Sequence, residues 1–364
     1  MGECLVRVLS VEKGVSGKLL EIVKVVVSCV GCFKSGRNTM SEPAIAVVIP
    51  AYNAGPFLPE AIESVRAQTF VKWECTIVDD GSTDETPIQL KSARDPRIRS
   101  VRQENRGARE ARRHGFSLTR APKIVFMDAD DRLLPDALSR YACFLDDHPS
   151  VGVAYGERIL ISEEGRPLGW RRGALFNKHP EGDVLESILR RPFLSTPSQA
   201  CLRREAVPSA KWLGGQSQLG GDWVLLAGSA LESRFAYLGK SPLVEYRIRR
   251  GSTLRNIASD PQCAVGIQEY EPVLNSLFSL PGLGARFSAV KLSRLRRAAT
   301  ASCLAIKAQE FLRCREYCAA RRYFRAALRV GSRDIRDLLC LVGTYFPSLL
   351  CWTESLYGGT SPKR

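Results

Sequence analysis

Continuous apolar runs alternate with apolar residues at helical spacing through the first half of the chain. Residues 44–49 form an unbroken apolar run, which is typical of a strand buried in a parallel sheet, and Leu58, Ile62 and Val65 then recur at helical spacing. The same pattern predicts further strands at 73–78, 98–101 and 123–127 and helices at 107–118 and 135–145. This order predicts an α/β fold with a doubly wound, mostly parallel sheet.

The rest of the sequence is less regular. Ser82 and Glu85 stand at capping-box spacing, which predicts that a helix begins there. Beyond Tyr155 the pattern indicates short strands, loops and a helix at 184–189, as expected of a part that shapes a variable pocket.

From about residue 286 onward Ala, Leu and Arg dominate, and the pattern predicts amphipathic helices at 299–312 and 317–330. Residues 338–350 are strongly apolar and follow basic residues, which indicates either a core-packed helix or a contact with a membrane surface. We therefore divide the chain into a main domain at 41–285, with halves at 41–150 and 151–285, and a helical region at 286–364.

Residues 1–40 differ from the remainder. Their best apolar run, at 22–33, is broken by Lys24 and is shorter than the roughly 20 residues of a membrane span. We find no small-residue cleavage pattern of a signal peptide, and Met40 stands directly before the first strand region. We expect this extension to be dispensable and the protein to be cytoplasmic.

The net charge of the chain is compatible with several classes of binding partner. The 364 residues hold 53 Lys and Arg against 38 Asp and Glu, a formal charge of +15, which favours phosphate, nucleic acid or anionic lipid. Zinc-finger, RNP and basic-zipper motifs are absent, and the arginines do not alternate with aromatic residues, so we expect no nucleic-acid partner.

Cysteine spacing gives no metal site. The 12 cysteines are irregularly spaced, and many lie in apolar stretches, which fits a reducing compartment. Cys29 with Cys32 and Cys314 with Cys318 lack a second pair at ligand spacing, so we expect no structural zinc.

Residues 126–131 carry the strongest chemical signal. A predicted buried strand leads directly into Asp128, Asp130 and Asp131, and this clustering is unfavourable unless it is compensated. Mg²⁺ or Mn²⁺ binds carboxylates together with the oxygens of a substrate diphosphate, so we assign Asp130, with Asp128, as candidate metal ligands. Alternatively, Asp131 merely caps the helix near Pro135 and the other two carboxylates are solvated.

The run of residues 46–149 resembles the family 2 glycosyltransferases. It contains Val-Val-Ile-Pro-Ala-Tyr-Asn at 47–53, Val-Asp-Asp-Gly-Ser-Thr-Asp at 78–84, Asn-Arg-Gly-Ala at 105–108 and Met-Asp-Ala-Asp-Asp at 127–131, in that order. The resemblance implies a nucleotide-diphospho-sugar transferase fold, called GT-A, and transfer with inversion at the anomeric carbon.

The resemblance also assigns donor-binding positions at the carboxyl ends of the strands, where such sheets bind ligands. Asp80 matches the residue that accepts the imide N–H of uracil, while we expect Asp79 to fix its own loop. Arg112 matches a basic position that faces the diphosphate near a helix N-terminus, although Arg113 replaces a frequent Asn. The turn after the first strand would lie along the nucleotide through Pro50, Ala51, Tyr52 and Asn53.

Inverting transfer requires a carboxylate that takes the proton of the acceptor hydroxyl. Asp222 is the candidate base, because residues 220–226 resemble the acidic-Asp-aromatic motif of the family, although Gly221 replaces its usual acidic residue. The alternative is a helix N-cap. Residues 246–252 resemble the late Tyr-Arg-x-His segment and place Arg247 and Arg249 near the leaving diphosphate, with Arg249 where His is common.

We therefore expect an inverting, metal-dependent glycosyltransferase that uses a nucleotide-sugar, with UDP-sugars favoured, and acts on a glycan or lipid-linked acceptor in cell-surface polysaccharide biosynthesis. The basic, apolar C-terminal region would suit a peripheral contact with the cytoplasmic face of the membrane. Gly221 and Arg249 leave a catalytically degenerate nucleotide-sugar-binding protein as the alternative. A Rossmann dehydrogenase is excluded because no G-x-G-x-x-G follows the first strand.

Overall fold

Strand β1 (Ile45–Ala51) is the buried centre of the fold. In the computed structural model, which describes residues 42–168, 179–208, 220–249, 268–313, 315–332 and 335–345, all seven side chains of β1 are buried. It pairs in parallel with strands on both sides, which explains the unbroken apolar run in the sequence.

All strands of the described residues join one eight-stranded sheet, in the order β3-β2-β1-β4-β7-β6-β8-β5. Pairing is parallel from β3 through β4 and between β6 and β8, and antiparallel at the β4–β7, β7–β6 and β8–β5 pairs. The sheet is therefore mixed, with parallel pairs in the majority. The remaining strands are β2 (Trp73–Asp79), β3 (Ile98–Arg102), β4 (Lys123–Phe126), β5 (Arg132–Leu133), β6 (Val151–Ile161), β7 (Ala200–Arg203) and β8 (Arg234–Arg247).

Helices follow most of the strands, as the sequence predicts. Those in the described residues are α1 (Leu58–Arg66), α2 (Thr86–Ser92), α3 (Ala108–Ser117), α4 (Ala137–Asp147), α5 (Leu185–Arg190), α6 (Gly221–Glu232), α7 (Glu271–Phe278), α8 (Leu283–Arg286), α9 (Ala289–Arg313), α10 (Tyr317–Val330) and α11 (Ile335–Tyr345).

The sheet separates two apolar layers. Val47 and Ile49 of β1 pack with the buried residues of α1 and α4, whereas Val48 faces the opposite layer, which includes residues of α5, α6, α7 and the first half of α9. The alternation follows from the two-residue period of a strand. Helices thus cover both faces and leave the ends of the parallel strands as the open edge.

Two sequence expectations need correction. Helix α2 begins at Thr86 without a side-chain cap, because the Ser82 hydroxyl instead accepts a hydrogen bond from the Asn53 N–H (3.0 Å), so no capping box forms. The second half of the sheet is also more regular than the sequence indicates. Strand β8 runs for 14 residues beside β6, and its register shifts obscure the period-two pattern.

The C-terminal helices form a smaller apolar cluster, in which α9 and α10 pack around Phe311, Tyr323 and Phe324. Helix α11 is not fully core-packed, because Leu338 is 44% and Val342 43% exposed. Residues 346–350 of the same predicted helix, like the 1–40 extension, Cys314 and residues 250–252, lie outside the described residues. Among the described helices, none is long and apolar enough to span a membrane.

Candidate active site

The three carboxylates that follow β4 differ in their surroundings. Asp131 is fully buried, whereas Asp128 and Asp130 keep 29% and 20% of their side chains exposed. The two accessible carboxylates are those that the sequence assigns to a metal. Asp131 must therefore have another role.

Asp131 holds the site together from inside. Its Oδ2 accepts hydrogen bonds from the Thr196 and Ser198 hydroxyls, both at 2.7 Å, and its Oδ1 accepts one from the Arg247 backbone N–H at 3.2 Å. These contacts tie the end of β4 to the end of β8 and to the 3₁₀ turn at Pro197–Gln199. The alternative reading of Asp131 as a cap of the following helix is therefore wrong.

Arginines neutralise the two accessible carboxylates. Arg112 of α3 donates to Asp128 Oδ1 at 2.6 Å, and the Nε of Arg249, just past β8, donates to Asp130 Oδ2 at 2.5 Å. Two of the arginines that the resemblance assigns to the diphosphate thus lie directly on the proposed metal ligands. The fold brings these four residues together from separate elements.

Arg247 has a different setting. It is 3% exposed and its Nε donates to the Asp130 carbonyl at 2.9 Å, while its two terminal nitrogens donate to the Glu163 carbonyl at 2.7 Å and to Glu60 Oε2 at 2.5 Å. Glu60 also pairs with Arg132 at 3.1 Å. The guanidinium of Arg247 therefore braces the loop that carries Asp130, and its approach to a diphosphate stays a prediction.

The pKa values reflect the crowding of acids. Burial raises the pKa of Asp130; the charge of Arg249 opposes this shift and that of Asp128 adds to it. Burial likewise raises the pKa of Asp131 well above its usual value, together with the charges of Asp130 and Asp128. Burial is thus the main cause of both raised pKa values, and the neighbouring carboxylates add to it.

The turn after β1 is fastened to the loop after β2. Pro50 and Ala51 are buried, Tyr52 is 50% exposed, and Asn53 adopts φ +48°. The Oδ1 of Asn53 accepts from the Thr83 N–H at 2.9 Å, in addition to the contact between the Asn53 N–H and Ser82. Such a turn presents Tyr52 to solvent at the open edge of the sheet.

Asp79 fixes its own loop, as the sequence predicts. Its Oδ1 accepts from the Ser82 N–H at 2.9 Å and its Oδ2 from Arg102 at 2.6 Å. Asp84 accepts from the Thr86 and Gly55 N–H groups, and although burial acts in the opposite direction, these bonds lower the pKa of Asp84. Both acids are therefore structural.

Asp80 joins the second strand to the start of α3. It is 2% exposed, and its Oδ1 accepts from the Gln103 side chain at 2.8 Å and the Arg106 N–H at 2.9 Å, while its Oδ2 accepts from the Gly107 N–H at 2.8 Å. A carboxylate offers about four acceptor sites. Three are used here, so Oδ2 retains capacity for one further donor.

Asp222 is the second residue of α6 and is partly buried. Burial raises its pKa, the charge of Arg112 lowers it, and the charge of Asp128 raises it. The charges of Arg112 and Asp128 thus both influence the Asp222 carboxylate. The N-cap position belongs to Gly220, which has φ +64°, so Asp222 is not the N-cap.

Gly221 leaves space that Arg109 fills. A Cβ at residue 221 would lie 2.4 Å from Arg109 Cγ, too close for any side chain without movement of the arginine. Arg109 is 6% exposed, and burial lowers its pKa. It lies three positions before Arg112 on α3. Gly221 thus leaves room for the side chain of the neighbouring cation Arg109.

The donor set suits a hard divalent cation. Asp128 and Asp130 offer partly exposed carboxylate oxygens, the type of ligand that Mg²⁺ and Mn²⁺ prefer, and a substrate diphosphate would supply more oxygens. Within the described ranges, no group of three or more His, Cys, Asp or Glu side chains is arranged to hold a metal.

Sequence reasoning missed three residues that shape this site. Thr196 and Ser198 bind Asp131 across more than 60 residues of chain, and Glu60 reaches Arg247 across 187. The only local signal was the Ser-Thr-Pro-Ser run at 195–198, which is rich in turn-forming hydroxyl residues.

Comparison with known proteins places this geometry in context. Residues 46–208 match the family model described as "Glycosyl transferase family 2". The succinoglycan biosynthesis protein ExoO of Rhizobium meliloti (strain 1021) is 28% identical over 237 residues, which cover 60% of this chain and 64% of ExoO. The chain spans about half the length of several other curated relatives.

Two solved structures share the fold at low identity. S. aureus TarS 1–349 in complex with UDP has a TM-score of 0.53 and 14% identity, over 88% of this chain and 93% of that one. The mannosyltransferase PcManGT from Pyrobaculum calidifontis, in complex with GDP-Man and Mn²⁺, has a TM-score of 0.50 and 17% identity, over 93% and 91% of the two chains.

Proposed function

Given that the chain belongs to the family 2 glycosyltransferases and has the GT-A fold, we propose that it transfers a sugar from a nucleotide-diphosphate sugar, with UDP-sugars favoured, to a hydroxyl of a glycan or lipid-linked acceptor. The observation that carries this proposal is the meeting of Arg112, Asp128, Asp130 and Arg249 at the end of β4. The reaction inverts the anomeric carbon.

The nucleotide lies on the turn after β1. Tyr52 offers an exposed ring there, and Asp80 retains one acceptor position for an imide N–H, which uracil has. Pro50 and Ala51 end β1 directly before this turn, and Asn53 shapes its backbone. The UDP bound to TarS supports the choice of a uracil nucleotide at the level of fold.

The diphosphate lies at the acidic cluster. Asp130 and Asp128 would hold Mg²⁺ or Mn²⁺, and a bound cation would supply positive charge next to the leaving nucleoside diphosphate. The Mn²⁺ in the PcManGT structure supports this proposal. Arg112 and Arg249 stay close enough to the same carboxylates to attract the phosphates. Arg247 keeps the Asp130 loop in place, and its own charge adds to the potential at the site.

Asp222 is the catalytic base. Its carboxylate takes the proton of the acceptor hydroxyl as the acceptor oxygen bonds to C1 of the sugar, and the bond from C1 to the diphosphate oxygen breaks at the same time. The nucleoside diphosphate carries away the electron pair of that bond. Burial raises the pKa of Asp222 above its usual value, which makes its carboxylate a stronger base.

The biological setting we propose is cell-surface polysaccharide biosynthesis on the cytoplasmic face of the membrane, with the enzyme as a peripheral protein. The similarity to ExoO, a succinoglycan biosynthesis protein, supports the polysaccharide product. The basic net charge of +15 is compatible with an approach to anionic lipid.

Donor hydrolysis tests the proposal. The chain from Met40 onward is incubated with UDP-, dTDP- and GDP-sugars and Mn²⁺ or Mg²⁺, beside Asp130→Ala, Asp222→Asn and the exposed control Asp147→Asn at the end of α4. We expect metal-dependent release of UDP that is lost in both site variants and retained in the control.

Gly221 and Arg249 motivate the second candidate, a catalytically degenerate protein that only binds the nucleotide-sugar. Donor binding by calorimetry without turnover, even with mixed glycan acceptors, would favour it. Turnover that persists in both Asp130→Ala and Asp222→Asn would contradict the assigned site.

A further inference from the structure

Helix α11 exposes a row of apolar side chains. Four residues at intervals of three and four positions share one face of the helix, which is the spacing of neighbours along a helix surface. We name this row the apolar stripe. Its members, with their exposed fractions, are Ile335 (52%), Leu338 (44%), Val342 (43%) and Tyr345 (42%).

The opposite face of α11 is firmly packed. Asp337, Cys340 and Thr344 are at most 1% exposed, and the Ser332 hydroxyl donates to Asp337 at 2.6 Å. Arg321 of α10 donates to the carbonyl and hydroxyl oxygens of Thr344. The apolar stripe is therefore the solvent-exposed face of a helix whose other face is packed against the protein.

A row of basic residues lies on the neighbouring helix α10, and one of its members contacts the apolar stripe. Arg322, Arg325 and Arg329 of α10 are all exposed and follow one another at intervals of three and four positions. We name these the basic stripe. Arg325 contacts the Tyr345 hydroxyl, and its guanidinium lies 5.6 Å from the Tyr345 ring centroid. This contact joins the two stripes into one surface.

The surface carries little negative charge. Helices α10 and α11 together contain five Arg and a single acid, Asp337, which is 1% exposed. An apolar row next to a row of arginines complements a surface that offers both hydrocarbon and anionic groups. Helix α11 would then present aliphatic and tyrosine side chains to the acyl boundary.

We propose that the apolar stripe and the basic stripe together form a docking surface for a lipid bilayer that contains anionic phospholipids. Helix α11 lies in the plane of the interface and the arginines of α10 contact lipid phosphates. A second copy of the chain is the weaker occupant, because a two-fold contact through this surface brings two sets of arginines together. This inference rests on the proposed peripheral location and assigns it to named residues.

Vesicle flotation of the full chain tests the surface. The probes are vesicles of phosphatidylcholine with about 30% phosphatidylglycerol, within the range of anionic surfaces that attract basic segments, and vesicles of phosphatidylcholine alone. The apolar variant is Leu338→Ser with Val342→Ser, and the basic variant is Arg325→Gln with Arg329→Gln. Matched controls are Val71→Ser with Ile88→Ser, which are 67% and 69% exposed elsewhere, and Arg94→Gln with Arg99→Gln, also exposed.

We expect binding to the anionic vesicles that falls about fivefold for each arginine removed and at least as much in the apolar variant, with both controls unchanged. Donor hydrolysis without acceptor should stay at the wild-type rate in all four variants, since none touches the active site. If the wild type binds the vesicles but does not hydrolyse the donor, the transferase proposal is wrong and the docking surface is unaffected.

Three results would overturn the docking surface. The first is no binding of the wild type to anionic vesicles, and the second is binding that both stripe variants retain. The third is a wild-type dimer by light scattering that becomes a monomer in Leu338→Ser with Val342→Ser, which would make a second copy the occupant.

Discussion

The side chain of Arg109 passes directly over Gly221, so that a Cβ at 221 would lie 2.4 Å from Arg109 Cγ. Gly221 precedes the candidate base Asp222, and Arg109 shares a face of α3 with Arg112. The absence of the family's usual acidic residue at 221 therefore coincides with a bulky cation that occupies the same space.

We expect Gly221→Ala to reduce both stability and activity. The added methyl group forces Arg109 to move, and overpacking of this kind costs about 1–3 kcal/mol. Urea unfolding and donor hydrolysis measure the two effects. The double variant Arg109→Ala with Gly221→Ala should recover most of the stability that Gly221→Ala loses, and equal losses in the single and double variants would show that the two residues do not interact.

Transfer activity should fall at acidic pH as Asp222 takes up a proton. Burial raises the pKa of Asp222 above its usual value near 3.8, so the acidic limb of kcat/KM should lie above that value. Asp222→Asn should lower kcat about 10²–10⁴-fold, the range for a lost general base. An acidic limb that persists unchanged in the residual activity of Asp222→Asn would assign it to another group.

The same group affects stability in the opposite direction. Because the pKa of Asp222 is raised in the folded state, its contribution is most favourable below the unfolded pKa and is lost as the pH rises through the folded pKa. We therefore expect Asp222→Asn to have a higher Tm than the wild type at pH 7 and a smaller advantage at pH 4. Calorimetry at both pH values measures this, and a lower Tm at pH 7 would contradict it.

Asp131→Ala should unfold more easily than any other single change at the acidic cluster. The substitution leaves the Ser198 hydroxyl and the Arg247 N–H without their acceptor in a buried place, whereas the Thr196 hydroxyl can still donate to Asp128 or Ser198. Each unsatisfied buried group costs about 1–3 kcal/mol, so we expect a loss of at least about 2 kcal/mol in urea unfolding. Asp130→Ala, at a more exposed position, is the matched control, and a similar loss in both would remove the distinction.

Divalent cation and nucleotide should stabilise the chain together. Mn²⁺ alone has only the accessible oxygens of Asp128 and Asp130, whereas UDP adds diphosphate oxygens. At about 100 times the dissociation constant, UDP with Mn²⁺ should add about 2.7 kcal/mol of stability. Thermal shift measures the effect, which should vanish in Asp130→Ala and with EDTA, and persist in Asp147→Asn. An equal shift with Mn²⁺ alone would indicate a site independent of the donor.

Much of the first half could be predicted from the sequence, because each of its elements encodes its own burial. The apolar run at 44–49 and the helical spacing of Leu58, Ile62 and Val65 correspond to β1 and α1. Elements of the second half were less predictable. Strand β8 pairs with β6 through shifted registers, and such irregularity interrupts the alternation on which strand prediction depends.

The different roles of the three acids after β4 could not be predicted from the sequence either. Asp128, Asp130 and Asp131 are close in the chain, and only their partners distinguish them: Arg112, Arg249 and the Thr196–Ser198 turn. These partners come from α3, from the end of β8 and from a turn before β7. A local sequence pattern cannot predict a hydrogen-bond partner that is so distant in the chain.

The sequence by itself determined the family, the strand-and-helix order and the edge at which the polar residues gather, because motif identity and hydrophobic periodicity are local properties. Only the tertiary structure decided that Asp131 accepts buried hydrogen bonds, that Arg247 pairs with Glu60, and that Arg109 fills the space above Gly221. Burial and hydrogen bonding depend on which distant segments pack together, and that choice is made by the fold as a whole.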